Sequence, residues 1–126
     1  MRRRLASALL LAAFAAAPAH ATQGQNCRPV SGTGPEIGIV IGTLGIAGVN
    51  LTEDGRTRST FGAGAPLAIR RAWIDPDRLW IDLADATLAR DEGRLRLQPS
   101  GRGRVRHLAG TFGRGGRLYR LRCEES

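Results

Sequence analysis

Apolar residues recur at every second position through much of the chain. Ile37, Ile39 and Ile41 set the pattern, which is the period of a strand with one buried face. A second strand is predicted over residues 46–51, followed by a polar segment over 52–60 in which Glu53-Asp54-Gly55 is a turn signal. The clearest unit comes next. Residues 67–74 and 78–83 flank Asp75-Pro76-Asp77, where the proline presets the dihedral of a type I turn and an aspartate at its first position can accept from the turn's own amides. This predicts an antiparallel hairpin. A turn centred there sets Trp73 opposite Trp80, a cross-strand contact contributing about 0.2 to 1 kcal/mol. Burial is the commoner fate of such a pair and is the expectation here; exposed indoles would instead be free to stack on sugar rings.

Residues 85–92 fit either a short helix, capped by Asp85 and ended by Gly93, or a loop, and the loop is preferred. Arg94-Leu95-Arg96-Leu97 then alternates strictly, and residues 103–112 predict a longer strand. Gly113-Arg114-Gly115-Gly116 turns the chain into a last strand over 117–123, which sets Tyr119, Leu121 and Cys123 on one face and Arg120 and Arg122 on the other. Seven strands with turn signals every ten or so residues predict an all-β fold, a small antiparallel sandwich or barrel. There is no internal repeat and no sign of a second domain. The expected division is a leader over 1–21, a polar lead-in over 22–35 and a single β-rich domain over 36–126.

The leader assignment rests on three features. Arg2, Arg3 and Arg4 form a cationic start, residues 5–17 are apolar apart from Ser7, and Ala19-His20-Ala21 has the small-x-small pattern of a signal peptidase site. As a helix that run would be about 20 Å long, against the roughly 30 Å of hydrocarbon a spanning helix must cross. Export to a periplasm or to the medium follows, in a host that the composition suggests is bacterial. No later stretch reads as a transmembrane segment: residues 37–51 are apolar but are broken by Gly38, Gly42, Gly45 and Gly48. In an oxidising compartment Cys27 and Cys123 read as one disulfide closing nearly the whole mature chain, for which loop-closure entropy alone assigns about 4 to 5 kcal/mol. Acylation of Cys27 is the rival reading, but Gly24-Gln25-Asn26 lacks the small apolar residues that should precede a lipid-modified cysteine.

Charge adds the one unusual feature. The full chain carries a net charge of +8, with 19 basic against 11 acidic residues; removing the three leader arginines leaves 16 against 11, or +5. Every basic residue is arginine, so a phosphate-loop lysine, a Schiff-base lysine and a serine-lysine dyad are excluded. Arg94, Arg96, Arg102, Arg104, Arg106, Arg114, Arg117, Arg120 and Arg122 fall in a stretch without a single acid, while Asp75, Asp77, Asp82, Asp85, Asp91 and Glu92 precede it. Like charges opposed in a sheet destabilise it, so something anionic should offset them. The plain answer is the protein's own acids and water. The functional answer is an anionic partner, either an envelope polysaccharide, a lipid head group or an acidic protein patch, held by Arg94, Arg96, Arg104, Arg106, Arg117, Arg120 and Arg122, because the planar guanidinium fork binds phosphate and carboxylate through two parallel hydrogen bonds. Nucleic acid is disfavoured. Only Phe61, Trp73, Trp80, Phe112 and Tyr119 are aromatic beyond the leader, and they do not interleave with the arginines.

Catalytic patterns are weak throughout. His107 is the one histidine beyond the leader and has no neighbouring carboxylate to orient it, and no serine lies in a nucleophile-elbow context. Gly42, Gly45 and Gly48 have the wrong spacing for a dinucleotide loop, and Asp82 with Asp85 is a carboxylate pair that nothing else marks. Neither a metal nor a cofactor is expected. The sequence therefore points to a non-enzymatic exported β-domain with an arginine-rich binding face. The alternative is a small disulfide-stapled inhibitor or accessory protein that presents residues 75–78 or 113–116 to an enzyme.

Overall fold

The computed structural model describes residues 23–102 and 105–126, so the leader expected over 1–21 and the candidate Arg104 lie outside the described residues. Nine strands make up the fold: β1 (Gln23–Pro29), β2 (Glu36–Gly42), β3 (Gly45–Glu53), β4 (Arg56–Ser59), β5 (Leu67–Asp75), β6 (Arg78–Asp85), β7 (Asp91–Arg102), β8 (Val105–Arg114) and β9 (Arg117–Glu125). They form one antiparallel sheet in the order β4-β3-β2-β1-β9-β8-β7-β6-β5. Each strand lies beside its sequence neighbour, except that β9 returns to pair with β1 and β4 and β5 stand at opposite edges. The sheet curls until β5 packs against β3 and β4, which makes it a nearly closed barrel. No helix of the described residues is long and apolar enough to cross a membrane.

The fold class is as expected, but the strand count is nine rather than seven. β4 is a four-residue edge strand, Arg-Thr-Arg-Ser, with no apolar position to announce it. β1 lies in the segment read as a polar lead-in, and Cys27 is its only buried residue. Its backbone is nevertheless laddered on both sides, to β2 and to β9. A strand held by its neighbours' amides and carbonyls needs little side-chain periodicity of its own.

Inside the barrel, alternation does what the sequence predicts. Ile37 and Ile39, Val49 and Leu51, Leu79, Ile81 and Leu83, Leu95 and Leu97, Phe112 and Leu121 all face a single core. Each such side chain contributes about 2 kcal/mol of burial. Cys27 and Cys123 sit directly opposite one another in the β1/β9 ladder and are joined by the expected disulfide across a sequence separation of 96. Bulges in β2/β3, β5/β6 and β6/β7 supply the bending that closure requires. Between β8 and β9, Gly115 (φ 59) and Gly116 (φ 80) occupy both central positions of a two-residue turn, a left-handed pair that glycine adopts without strain. Residues 86–90 form the loop that the sequence favoured, pinned by Asp85, whose Oδ1 accepts from the amides of Ala89 (2.8 Å) and Arg90 (3.0 Å).

Charged residues fasten one end of the barrel. Arg114 ends β8 and forms a fork with Glu53 at the end of β3, while Arg58 of β4 donates to both Glu53 (3.4 Å) and Glu92 (3.2 Å). The cluster links the β3/β4 edge to β7 and β8, where backbone bonding between the two ends of the sheet is missing. Gly110 marks a close approach between β8 and β7. A Cβ there would land on the carbonyl oxygen of Arg96, which is backbone and cannot swing aside.

This packing makes the disulfide and the β7/β8 approach the points most sensitive to substitution. Replacing Cys27 and Cys123 together by alanine lowers unfolding free energy by about 2 to 5 kcal/mol, read by chemical denaturation. Gly110→Ala costs about 3 kcal/mol in the same assay, whereas Gly113→Ala, whose added methyl meets Leu118 at an ordinary 3.4 Å, leaves the midpoint nearly unchanged.

Candidate functional site

The outer face of β7, β8 and β9 is set by ladder register. Arg96, Thr111 and Arg120 form one row across the three strands, Gln98, Ala109 and Arg122 the next, and Arg94, Gly113 and Leu118 the row on the other side. With neighbouring strands about 4.8 Å apart, Arg96 and Arg120 stand roughly 10 Å from each other on either side of Thr111. Over these rows the centre strand presents only small residues, and its flanks present Arg94, Arg96, Arg120 and Arg122 together with Gln98 and Leu118. The result is a shallow trough along β8, seen as two depressions that share Thr111. One, of about 520 Å³, is lined by Arg94, Arg96 and Arg117; the other, of about 370 Å³, is lined by Arg120, Arg122, Gln98 and Ser100.

The outer face brings together Arg94, Arg96, Arg120 and Arg122 of the residues singled out in the sequence, and Arg117, which shares the inward parity of Leu121, reaches the end of the trough only from beside the β8/β9 turn. Arg106 is placed elsewhere. It pairs with Gly101 near the β7/β8 turn and lines a separate depression at the barrel mouth, beside His107, Ile74 and Leu79. The reason is parity: Arg106 lies an even number of positions from Phe112, which faces the core.

The acidic segment offsets part of this charge and leaves the rest. Arg96 Nη2 lies 2.8 Å from Asp82 Oδ1, Arg94 Nε lies 3.9 Å from Asp91 Oδ2, and Arg114 is engaged by Glu53. Among the described residues Arg117 reaches only the Tyr119 hydroxyl, at 3.2 Å. Among the described residues Arg120 and Arg122 have no acidic side chain within ion-pair distance. Arg122 is also directly opposite Arg28 of β1, a like-charge pair on an exposed face. An anion in the trough would relieve that repulsion.

Beside the trough, on β5 and β6, lies a second depression of about 420 Å³ that sequence reasoning missed. Arg71, Trp73, Arg78, Trp80, Asp82 and Arg96 line it, so Arg96 belongs to both features. Trp73 and Trp80 are opposite one another as expected, but they are not buried: 57 % of Trp73 and 40 % of Trp80 remain exposed. Both lie on the outer face, because Leu79 and Ile81, the neighbours of Trp80, take the core positions. The signal was present in the sequence, since Trp80 alternates with residues more aliphatic than itself. The guanidinium carbons of Arg78 and Arg96 each sit 5.1 Å from the Trp80 ring centroid. Asp82 forms the floor. It is buried, Arg71 Nε approaches its Oδ2 at 3.4 Å, and Oδ1 has no aligned hydrogen-bond donor even though Arg96 is near it.

Asp75 holds Trp73 in place. The indole Nε1 donates to Asp75 Oδ2 at 2.7 Å, and Oδ1 accepts from the amides of Asp77 and Arg78. The indole bond is the main cause of a carboxyl pKa below its ordinary value of 3.8, with the Asp77 amide next. Because the folded pKa is depressed, the stabilisation is present above the ordinary value and is lost as pH falls through the folded one. Asp85 is lowered in the same way, chiefly by the Arg90 amide. Acid titration of tryptophan fluorescence should therefore show a step with its midpoint below 3.8, and Asp75→Ala should abolish that step.

No group of three or more histidine, cysteine, aspartate or glutamate side chains among the described residues is arranged to hold a metal ion. His107 is opposite Ser100 with no carboxylate within ion-pair distance among the described residues, and Asp85 is occupied by its loop. Comparison with protein families, with curated proteins and with solved structures finds no match for this chain, so its own geometry carries the functional reading.

Proposed function

We propose that this protein is an exported, non-enzymatic β-domain, periplasmic or secreted, that holds an extended anionic envelope component in the trough along β8. One observation carries the reading. Arg96 of β7 and Arg120 of β9 face each other across Thr111, Arg94 and Arg122 extend the two flanks in opposite directions, and Arg120 and Arg122 stand without an acidic partner among the described residues. A linear polyanion laid along β8 would meet guanidinium groups on both sides, each able to bind an acidic group through two hydrogen bonds. Rigid strands hold the spacing, so little ordering is needed on binding. The leader and the disulfide support an oxidising destination.

An inhibitor that docks by a loop has less support. The turn at residues 75–78 is tight and presents Pro76 and Asp77, and the turn at 115–116 presents only glycine; neither offers an apolar anchor.

Retention of the oxidised protein on a heparin matrix, a sulfated polyanion, should be strong at low salt and fall steeply toward physiological ionic strength. The triple variant Arg94→Ala, Arg120→Ala, Arg122→Ala should lower the slope of log affinity against log salt by about three, one for each arginine removed. Arg106→Ala, outside the trough, should leave both affinity and slope nearly unchanged. Equal loss per arginine removed, so that Arg106→Ala alone gives about a third of the triple variant's change, would reduce the effect to net charge and reject the trough.

A further inference from the structure

We propose that the depression between Trp73 and Trp80 is a sugar subsite, and that the anionic chain in the trough is therefore an acidic polysaccharide. This rests on the trough reading and narrows it. A pyranose ring has an apolar C–H face, hydroxyl groups around its edge and, in a uronic acid, one carboxylate. The depression offers a partner for each.

Trp73 supplies the stacking surface. It is 57 % exposed, its plane is fixed by the bond to Asp75, and among the described residues no guanidinium covers it. Trp80 plays a different part, since its ring gathers Arg78 and Arg96 within 5.1 Å and so brings two cationic heads into the same space. Asp82 is a fixed carboxylate at the floor: Arg96 Nη2 stands 2.8 Å from its Oδ1 and Arg71 Nε 3.4 Å from its Oδ2, so it holds two guanidinium groups, donors for ring-edge hydroxyls, against the depression. Arg71, whose side chain is 80 % exposed, and Arg78 each use part of their fork on Asp82 and Asp75, and their remaining donors face the depression for the sugar's acid group.

Polyphosphate or a nucleic acid fits this place less well. Polyphosphate has no apolar ring face to lay on the exposed Trp73. Successive bases would need successive aromatic platforms along the trough, whereas Ala109, Thr111 and Gly113 on its floor are small and not aromatic. Arg96 lines both depressions, so a chain bound along β8 can place one ring over Trp73 without leaving the arginines.

The test compares four probes by tryptophan fluorescence and calorimetry: polygalacturonate, polyphosphate of similar charge, neutral dextran and oligo-dT. The expected result is that polygalacturonate binds and perturbs tryptophan emission, that Trp73→Ala weakens it by roughly tenfold, and that the same variant leaves polyphosphate binding unchanged. Trp73 is exposed, so its loss should spare the fold; a denaturation curve on the variant checks this, and emission from the unmodified protein gives a readout that needs no variant. Tight polygalacturonate binding with silent tryptophan emission and no effect of Trp73→Ala would overturn the subsite and leave the trough standing. Oligo-dT binding more tightly than polygalacturonate would also overturn it, in favour of a nucleic acid. Failure of every polyanion to bind would reject the trough and the subsite together. Dextran binding as well as polygalacturonate would overturn the acidic part of the assignment.

Discussion

Everything on the outer surface depends on the ladder between β1 and β9. It is the only backbone pairing that joins residues near the two ends of the described chain, and it turns two runs of hairpins, β1 to β4 and β5 to β9, into one sheet. Bringing those segments together has the largest loop-closure cost of any contact in the fold. The Cys27–Cys123 bond removes that cost by shrinking the unfolded ensemble, and it does so at the register position where the two strands already meet. β1 contributes only one fully buried side chain of its own, so the covalent link makes up for what its composition lacks.

The far side of the barrel is closed by other means. Backbone bonding stops between β4 and β5, and the gap is bridged by packing and by the Glu53, Arg58, Glu92 and Arg114 cluster. The arginines are thereby divided into two groups. Those at the seam hold the protein to itself, whereas those over β7, β8 and β9 meet fewer acids and face water. The same residue type serves both ends because its fork can saturate a carboxylate internally or present itself to one from outside.

Legibility in the sequence followed the strength of local pattern. The β5/β6 hairpin, with its turn and its Trp73/Trp80 opposition, is written in consecutive residues, and so are the alternating Leu95, Leu97 and Leu121. β1 and β4 escaped because backbone pairing, not side-chain burial, holds them. The candidate site was legible as a set of arginines but not as a shape. Whether Arg106 joins Arg120 depends on a parity count that runs from the buried Phe112, and the contribution of Thr111 and Ala109 is that they are small where their neighbours are long.

By itself the amino-acid sequence determined the all-β class, the main hairpin, the paired cysteines and a concentration of positive charge toward the C-terminal end, because each is a property of residues close together in the chain or of residue type alone. Only the tertiary structure decided which arginines share a face, which are neutralised by distant acids, and that both tryptophans stand outside beside a buried aspartate. Those outcomes depend on register between strands and on the curvature of the sheet, which are set by the whole ladder and by no single segment of it.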